Sequence, residues 1–559
     1  MIRSATTRLV AAVMLTAVLL LVPAATRADE LSDKIDAIMA EAYPGDGPGA
    51  AVIAVRDGEV LYRGAHGLAD LENGVPLTAE SVFRLGSITK QFTSAAILLL
   101  VERGELSLSD PLTKFLPDYP THGHTITVEN LLTHTSGIFN YTSIPGYMQT
   151  KIRAHLSTEE LVNAFKDHEI NFAPGEQWSY SNSGYVLLGA IIEKVSGQSY
   201  EEFVQRNIFD VLGMHGSYYG SHTRIIPNRA HGYGGAPGNW SNSAFLSMTQ
   251  PHAAGSLLST VDDMARWDAA LYTDELLKPE SIERMFTKFT LNNGEETGYG
   301  LGFGIGSLKD RPAISHGGGI NGFSTHATRL PGERIYVAVL SNAPGLPVRP
   351  STVATRIAAL VAGDPFEDFE PITLAPEVLQ GYVGVYRIDE ETERVVSLVD
   401  GQLYTQRTES AKLPAQPHSE TGFFYENSFT HFELVKDDSG EVVEMLMYQD
   451  GNDEAERAVR VSKTAPEQEV AEVDPAIYDG YVGEYELMPG FTLTITRDDD
   501  RLFGQATGQP RAELFPESET VFFLKVVDAK IVFMPAEGGK TGELVLHQGG
   551  QEMPAKRID

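Results

Sequence analysis

The chain has 559 residues, too many for one hydrophobic core, and 42% hydrophobic with 21% charged residues is the composition of ordered domains rather than of a disordered chain. A formal net charge of −33 makes nucleic acid and anionic membrane surfaces poor partners, and the absence of cysteine removes disulfides, thiolate metal sites and a lipid-modified N-terminal cysteine together. The acidity is uneven: residues 364–559 carry 16 Lys and Arg against 40 Asp and Glu, which reads as a solubility device rather than a binding surface.

In chain order, Arg3 and Arg8 precede an apolar run from Leu9 to Val22 and then Pro23-Ala24-Ala25-Thr26-Arg27-Ala28. Small residues at 26 and 28 suit cleavage after Ala28, and the run is shorter than the roughly 20 residues a spanning helix needs, so residues 1–28 read as a secretory signal peptide. The expected location is periplasmic or secreted, with no transmembrane anchor once the signal is removed. Residues 31–42 have the pattern of a short amphipathic helix. Two apolar stretches, 49–55 and 60–64, flank Arg56-Asp57-Gly58 and predict a hairpin. A glycine-led turn, Gly86-Ser87-Ile88-Thr89-Lys90, then runs into an apolar helix. Helices and long loops are expected as far as about residue 207. Strands are predicted at Tyr299–Ile305 and Arg334–Leu340 on either side of His316, and a helix at about 350–362. Strands at both ends of this region with helices between predict a sheet closed by its first and last segments.

Residues 364–376 read as a linker, and the chain beyond it repeats. Gly381-Tyr382-Val383-Gly384 with Tyr386 returns 99 residues later as Gly480-Tyr481-Val482-Gly483 with Tyr485; the same shift carries Leu403 to Leu502, Gln406 to Gln505 and Phe423-Phe424 to Phe522-Phe523. Short alternating strands with turns between them predict two small antiparallel barrels, residues 377–463 and 476–559, joined through 464–475. Their recurrent Tyr and Phe residues are expected to fill the interiors.

The chemistry begins at Ser87. A residue three positions on shares its helical face, so Lys90 lies beside the Ser87 hydroxyl, and a desolvated lysine can lose its charge and act as a base. Two further elements carry reactive types: Tyr180-Ser181-Asn182 before an apolar helix, and His316-Gly317-Gly318-Gly319 before a strand. Taken singly they are weak, since Tyr425-Glu426-Asn427 and His547-Gln548-Gly549 repeat the spacings inside the barrels. Taken with Ser-x-x-Lys, which occurs once, they resemble the three motifs of the penicillin-recognising serine hydrolases, a superfamily of class C β-lactamases, DD-peptidases, D-aminopeptidases and related esterases. The stretches Leu131–Ile138, Gly255–Met264 and Tyr299–Gly304 resemble that family too, over residues 31–362.

The resemblance implies an α/β, more strictly α+β, catalytic domain over residues 29–363, its antiparallel sheet flanked by helices. It implies Ser87 as the nucleophile, Tyr180 with Lys90 as the proton carrier, Asn182 as a substrate-amide contact, and the N–H groups of Ser87 and Gly319 as an oxyanion hole, with His316 and Gly318 on the substrate-binding strand. A working Tyr180 phenolate needs positive charge nearby, expected from Lys90 and from His316. Many members place lysine at position 316; a mostly neutral histidine there is a poor partner for a substrate carboxylate. The expected substrates are therefore small peptides bearing D-residues, or related amides and esters. The alternatives are a carboxylesterase, a β-lactamase or DD-peptidase and, in another class, a non-catalytic cell-envelope binding protein. No cofactor and no metal are expected. His122 and His124 have no evident carboxylate partner and read as a loop, and His134 and His252 as structural. The two barrels on such a domain resemble D-aminopeptidases, which implies a loop from the second barrel at the active site, with Gly508–Arg511 as its tip. Oligomers are compatible with everything above.

Overall fold

The structure, a computed structural model, describes residues 24–408, 410–452, 454–466, 470–488, 491–525, 527, 529–534, 540–548 and 551–558. It forms two compact units that divide after Pro365. Most of the proposed signal segment, residues 1–23, lies outside the described residues. Helix α1 spans Ala24–Ala42, starting ahead of the predicted residue 31. Among the described residues no helix is long and apolar enough to cross a membrane.

The first unit is built on a six-stranded antiparallel sheet. Strand β1 (Ala50–Arg56) and β2 (Glu59–His66) form the predicted hairpin, with Asp57 and Gly58 at φ +51° and +80° as its turn. After the long helical insertion come β3 (Gly304–Leu308), β4 (Arg311–Ile320), β5 (Phe323–Leu330) and β6 (Ile335–Ser341). The order is β3-β4-β5-β6-β1-β2, and β1 pairs with β6 from Ala50↔Ser341 to Arg56↔Ile335, so first and last segments do meet within the sheet. Both central strands are almost continuously apolar and buried, as strands covered on two faces must be. The predicted strand at 299–305 begins only at Gly304, because Tyr299–Phe303 turns back on itself through a bridge from Tyr299 to Gly304.

Helix α2 (Thr89–Glu102) is buried from Thr89 to Leu100 on every side. A helix apolar all round belongs at the centre of a domain, and the Ser87 end of the chain is anchored by it. Helix α3 (Asn182–Ser196) packs on α2. Helix α4 (Pro350–Ala362) starts with proline, ends on Gly363 at φ +82° and covers β5 and β6 beside α1.

The second unit holds two closed eight-stranded barrels, Gly384–Arg387 through Glu456–Ser462 and Gly483–Met488 through Gln551–Arg557. Repeat partners fill equivalent interior places: Tyr386 and Tyr485, Leu403 and Leu502, Phe423 and Phe522. The segment read as a linker is divided. Asp364 is held in the first unit by Lys309 (2.6 Å) and Arg311 (2.8 Å), whereas Phe366 and Phe369 stack on Phe429 and His418 of the first barrel. Of the second joint, residues 467–469 lie outside the described residues. At the proposed loop tip Gly508 turns at φ +76°, and Arg511 lies 3.8 Å over Phe503 and donates to Thr496 Oγ1 on its own barrel.

Candidate active site

Ser87 occupies a single 3₁₀ turn, Gly86–Ile88, at the entrance to α2. Gly86 takes φ +55°, and a Cβ there would lie 3.0 Å from the Gly319 nitrogen. Only glycine permits both the left-handed backbone and this approach, and the approach sets the Gly319 N–H beside Ser87. Gly318 is equally constrained: a side chain would collide with the Leu85 carbonyl and the Thr325 hydroxyl. Around Gly319 there is open space.

Lys90 is fully buried, and its Nζ meets three oxygens: Ser87 Oγ at 3.1 Å, Asn182 Oδ1 at 2.9 Å and the Ala254 carbonyl at 2.8 Å. Burial holds its pKa well below the usual lysine range. In the neutral amine the two N–H bonds satisfy the two carbonyl acceptors, which can only accept. The nitrogen lone pair is then left for the Ser87 O–H.

Tyr180 is half-buried, 4.7 Å below Lys90 Nζ measured to the ring centre. Burial pushes its phenol above the ordinary tyrosine value, and the hydrogen bond with Ser87 opposes that shift without reversing it. The expectation of a phenolate favoured by Lys90 and His316 is therefore not met: burial lowers Lys90 and pushes His316 down to about 3, so both cations are disfavoured. Burial thus favours the uncharged form of both groups, the Tyr180 phenol and the Lys90 amine.

Ser181, not Asn182, caps α3, accepting from the Gly184 N–H at 3.4 Å. Asn182 is thereby free of capping and turns its amide oxygen to Lys90. His316 lies on β4 with Nδ1 2.6 Å from the Gly317 carbonyl and Nε2 2.8 Å from the Tyr299 hydroxyl. A carbonyl only accepts, so the neutral ring carries its proton on Nδ1 and Tyr299 donates to Nε2. Both ring nitrogens are engaged within the protein. Ser87, Lys90, Tyr180, Asn182, His316, Gly318 and Gly319, drawn from three separate stretches of sequence, thus converge on one place.

Two supporting residues were not singled out as site residues. Tyr299 fixes the His316 ring; its hydroxyl in a strand-like glycine run gave no sequence signal of its own. His134, read as structural, sits at φ +60° with Nδ1 accepting from the Ser181 N–H at 3.2 Å and its ring 4.3 Å from that of Tyr180. The decoys fall where the repeats placed them: Tyr425 bonds Thr405 inside the first barrel and His547 lies on a strand of the second. His122 does have an acidic neighbour, Glu169 at 3.3 Å, concealed because it lies 47 positions further along the chain. His252 is buried and meets the Tyr219 hydroxyl through Nδ1 at 3.2 Å. Among the described residues the one group with metal-ligand proximity is Asp70, Glu72 and His231. Its carboxylates already accept from Asn73, Tyr233 and Asn242.

The sheet leaves one edge open at the site. Strand β3 pairs with β4 only from Leu308↔Arg311 to Gly304↔Ser315, so among the described residues positions 316–320 have no strand partner on that side. An extended substrate can lie there by main-chain hydrogen bonds.

Comparison with known proteins fits this geometry. The Beta-lactamase family model matches residues 31–362, and a Domain of unknown function (DUF3471) matches 467–557. Penicillin-binding protein 4* of Bacillus subtilis (strain 168) is 28% identical over 524 residues, 90% of this chain and 94% of that one. The D-aminopeptidase of Gluconobacter oxydans (strain 621H) is 30% identical over 340 residues, 60% of this chain and 62% of its own length. The octameric penicillin-binding protein homologue from Pyrococcus abyssi superposes with a TM-score of 0.54 at 30% identity, covering 77% of this chain and 99% of that one. The match to the B. subtilis protein takes in the barrels as well, so that layout is not peculiar to D-aminopeptidases.

Proposed function

The chain belongs to the beta-lactamase family and is a serine hydrolase of the β-lactamase and penicillin-binding type, and from that premise we propose that it acts through an acyl-Ser87 intermediate on amide or ester bonds of small substrates, short peptides bearing D-residues foremost. The observation that carries the reading is the fully buried Lys90 Nζ, 3.1 Å from Ser87 Oγ and held by Asn182 Oδ1 and the Ala254 carbonyl.

In this mechanism Ser87 Oγ attacks the carbonyl carbon and its proton passes to Lys90 Nζ. The carbonyl oxygen, now negative, takes hydrogen bonds from the N–H groups of Ser87 and Gly319, each worth on the order of 3 kcal/mol in the transition state. Tyr180 delivers its phenolic proton to the leaving group and is reprotonated from the Lys90 ammonium. Water then attacks the ester by the same route reversed. Proton transfer of this kind contributes about 10²–10⁴-fold. Asn182 orients Lys90 and meets the substrate amide, and the open edge at 316–320 aligns the substrate chain.

The substrate class rests on two supports. One relative of similar sequence is a D-aminopeptidase. The other is the neutral His316, which offers no cation to a carboxylate on the leaving group. The N-terminal segment supports export to the periplasm or medium, where such substrates occur, and the octameric P. abyssi homologue makes self-association a reasonable expectation. A fluorophosphonate probe tests the mechanism: it should label the native protein and not Ser87→Ala, and labelling that survives the substitution refutes it. Rates on D-alanyl amides, p-nitrophenyl esters and a chromogenic cephalosporin then rank amidase, esterase and β-lactamase activity.

A further inference from the structure

Beside the turn that leads from β4 into β5 lies a cavity of about 190 Å³ whose lining includes Arg84, Arg229, His231, Asn242 and Phe323. Arg84 is half-buried against the Phe323 ring, 5.5 Å from its centre, and donates one Nη1–H to the Asn321 carbonyl at 3.3 Å. Arg229 is exposed and donates to the Ser221 carbonyl at 2.7 Å. Neither guanidinium has a carboxylate partner among the described residues. The two acids nearest in the network are engaged elsewhere: Asp70 faces His231 at 3.9 Å and Glu72 accepts from Asn242 at 2.6 Å. Burial and the charge of Arg229 together lower Arg84 to about 10, the reverse of what an acid neighbour does. Two unpaired arginines on one cavity of a strongly acidic chain form a site for an anion, and the guanidinium fork suits a carboxylate.

The place of the pocket fixes which part of a substrate it can meet. Tyr180 and His316, whose rings lie 6.3 Å apart, mark the end of the edge where the leaving group is protonated. The acyl part of the substrate must extend the other way, past Gly319 towards Asn321. Two residues of strand separate the oxyanion donor from the Asn321 carbonyl, about 7 Å.

We propose that Arg84 and Arg229 bind a carboxylate carried by the acyl portion of the substrate, so that acyl donors with a remote negative charge are the preferred class. This rests on the acyl-Ser87 mechanism above. It also explains how the site dispenses with a cation at position 316, since the anionic anchor has moved from the leaving-group side to the acyl side.

The test compares p-nitrophenyl hemiesters of succinate, glutarate and adipate with neutral p-nitrophenyl esters of equal acyl length. The full chain should favour one of the hemiesters at least tenfold in kcat/KM, chiefly through KM, and 0.5 M NaCl should shrink that preference. Arg229→Gln and Arg84→Gln should each reduce the ratio at least fivefold. Should Arg84→Gln fail to fold, the exposed Arg229 still decides the matter. No preference in the native protein, a preference preserved in Arg229→Gln, or an equal loss on both ester types overturns the pocket. If instead neither ester type is hydrolysed and Ser87 takes no fluorophosphonate, it is the acyl-enzyme mechanism that fails, and the pocket assignment falls with it.

Discussion

The barrels and the catalytic unit both bury tyrosines, and one in the catalytic unit, Tyr180, is set apart from those of the barrels. In the barrels Tyr425 meets the Thr405 hydroxyl, and four other hydroxyls end on backbone carbonyls: Tyr386 on Tyr382 and Tyr485 on Tyr481, both at 2.8 Å, with Tyr382 and Tyr481 on Glu420 and Glu519 at 2.6 and 2.8 Å. Such a bond satisfies a polar atom and leaves nothing to react. Tyr180 instead meets a hydroxyl, that of Ser87, below an amine deprived of solvent. A barrel tyrosine, Tyr425, also meets a hydroxyl, so what sets Tyr180 apart is the fully buried Lys90 amine beside it, not its burial.

That contrast can be broken by mutation. Ser87→Ala should lower kcat by on the order of 10⁴-fold or more, whereas no barrel tyrosine should move kcat/KM beyond about twofold. Tyr180→Phe keeps the ring on His134 and removes only the acid, so kcat should fall about 10²–10⁴-fold with the melting temperature unchanged; a stability loss without a rate loss would place Tyr180 with the barrel tyrosines. Gly318→Ala, which drives a methyl into Leu85 and Thr325, should displace the oxyanion strand and cost about 10²–10³-fold in kcat, while Gly319→Ala enters open space and should cost far less.

Acid sharpens the same comparison. His316 is pushed from an ordinary value near ~6.5 down to about 3 by burial. Its neutral form contributes stability that is complete above ~6.5 and is lost as pH falls towards about 3, because the unfolded chain binds the proton first. Denaturant titrations of residues 29–365 should show that slope, and His316→Asn should reduce it without abolishing it, because burial lowers His134 and His326 as well. The smallest effect is expected in the barrels: Tyr386→Phe or Tyr485→Phe should cost about 1 kcal/mol by leaving a carbonyl unpaired, with no change in rate.

Much of this was legible in the chain. Ser-x-x-Lys, Tyr-x-Asn and His-x-Gly in order marked the site, and the 99-residue repeat marked the barrels, because helix spacing, turn chemistry and alternation are local. What failed was local pattern without its surroundings: a glycine-rich apolar run at 299–303 read as strand although the backbone turns there, and His122 read as solitary although Glu169 folds against it.

The sequence by itself determined which residue types could do acyl transfer and where the domains begin to repeat. Only the tertiary structure decided their protonation and their direction. Lys90 is pushed towards its neutral form because burial removes its water, and its hydrogens are met by Asn182 and Ala254, each more than ninety residues away. His316 is spent on Tyr299 and Gly317. Arg84, three residues before the nucleophile, stands without an acid because the strand that carries it delivers it to Asn321. Desolvation and partner choice are properties of packed neighbours, and those neighbours are set by the fold.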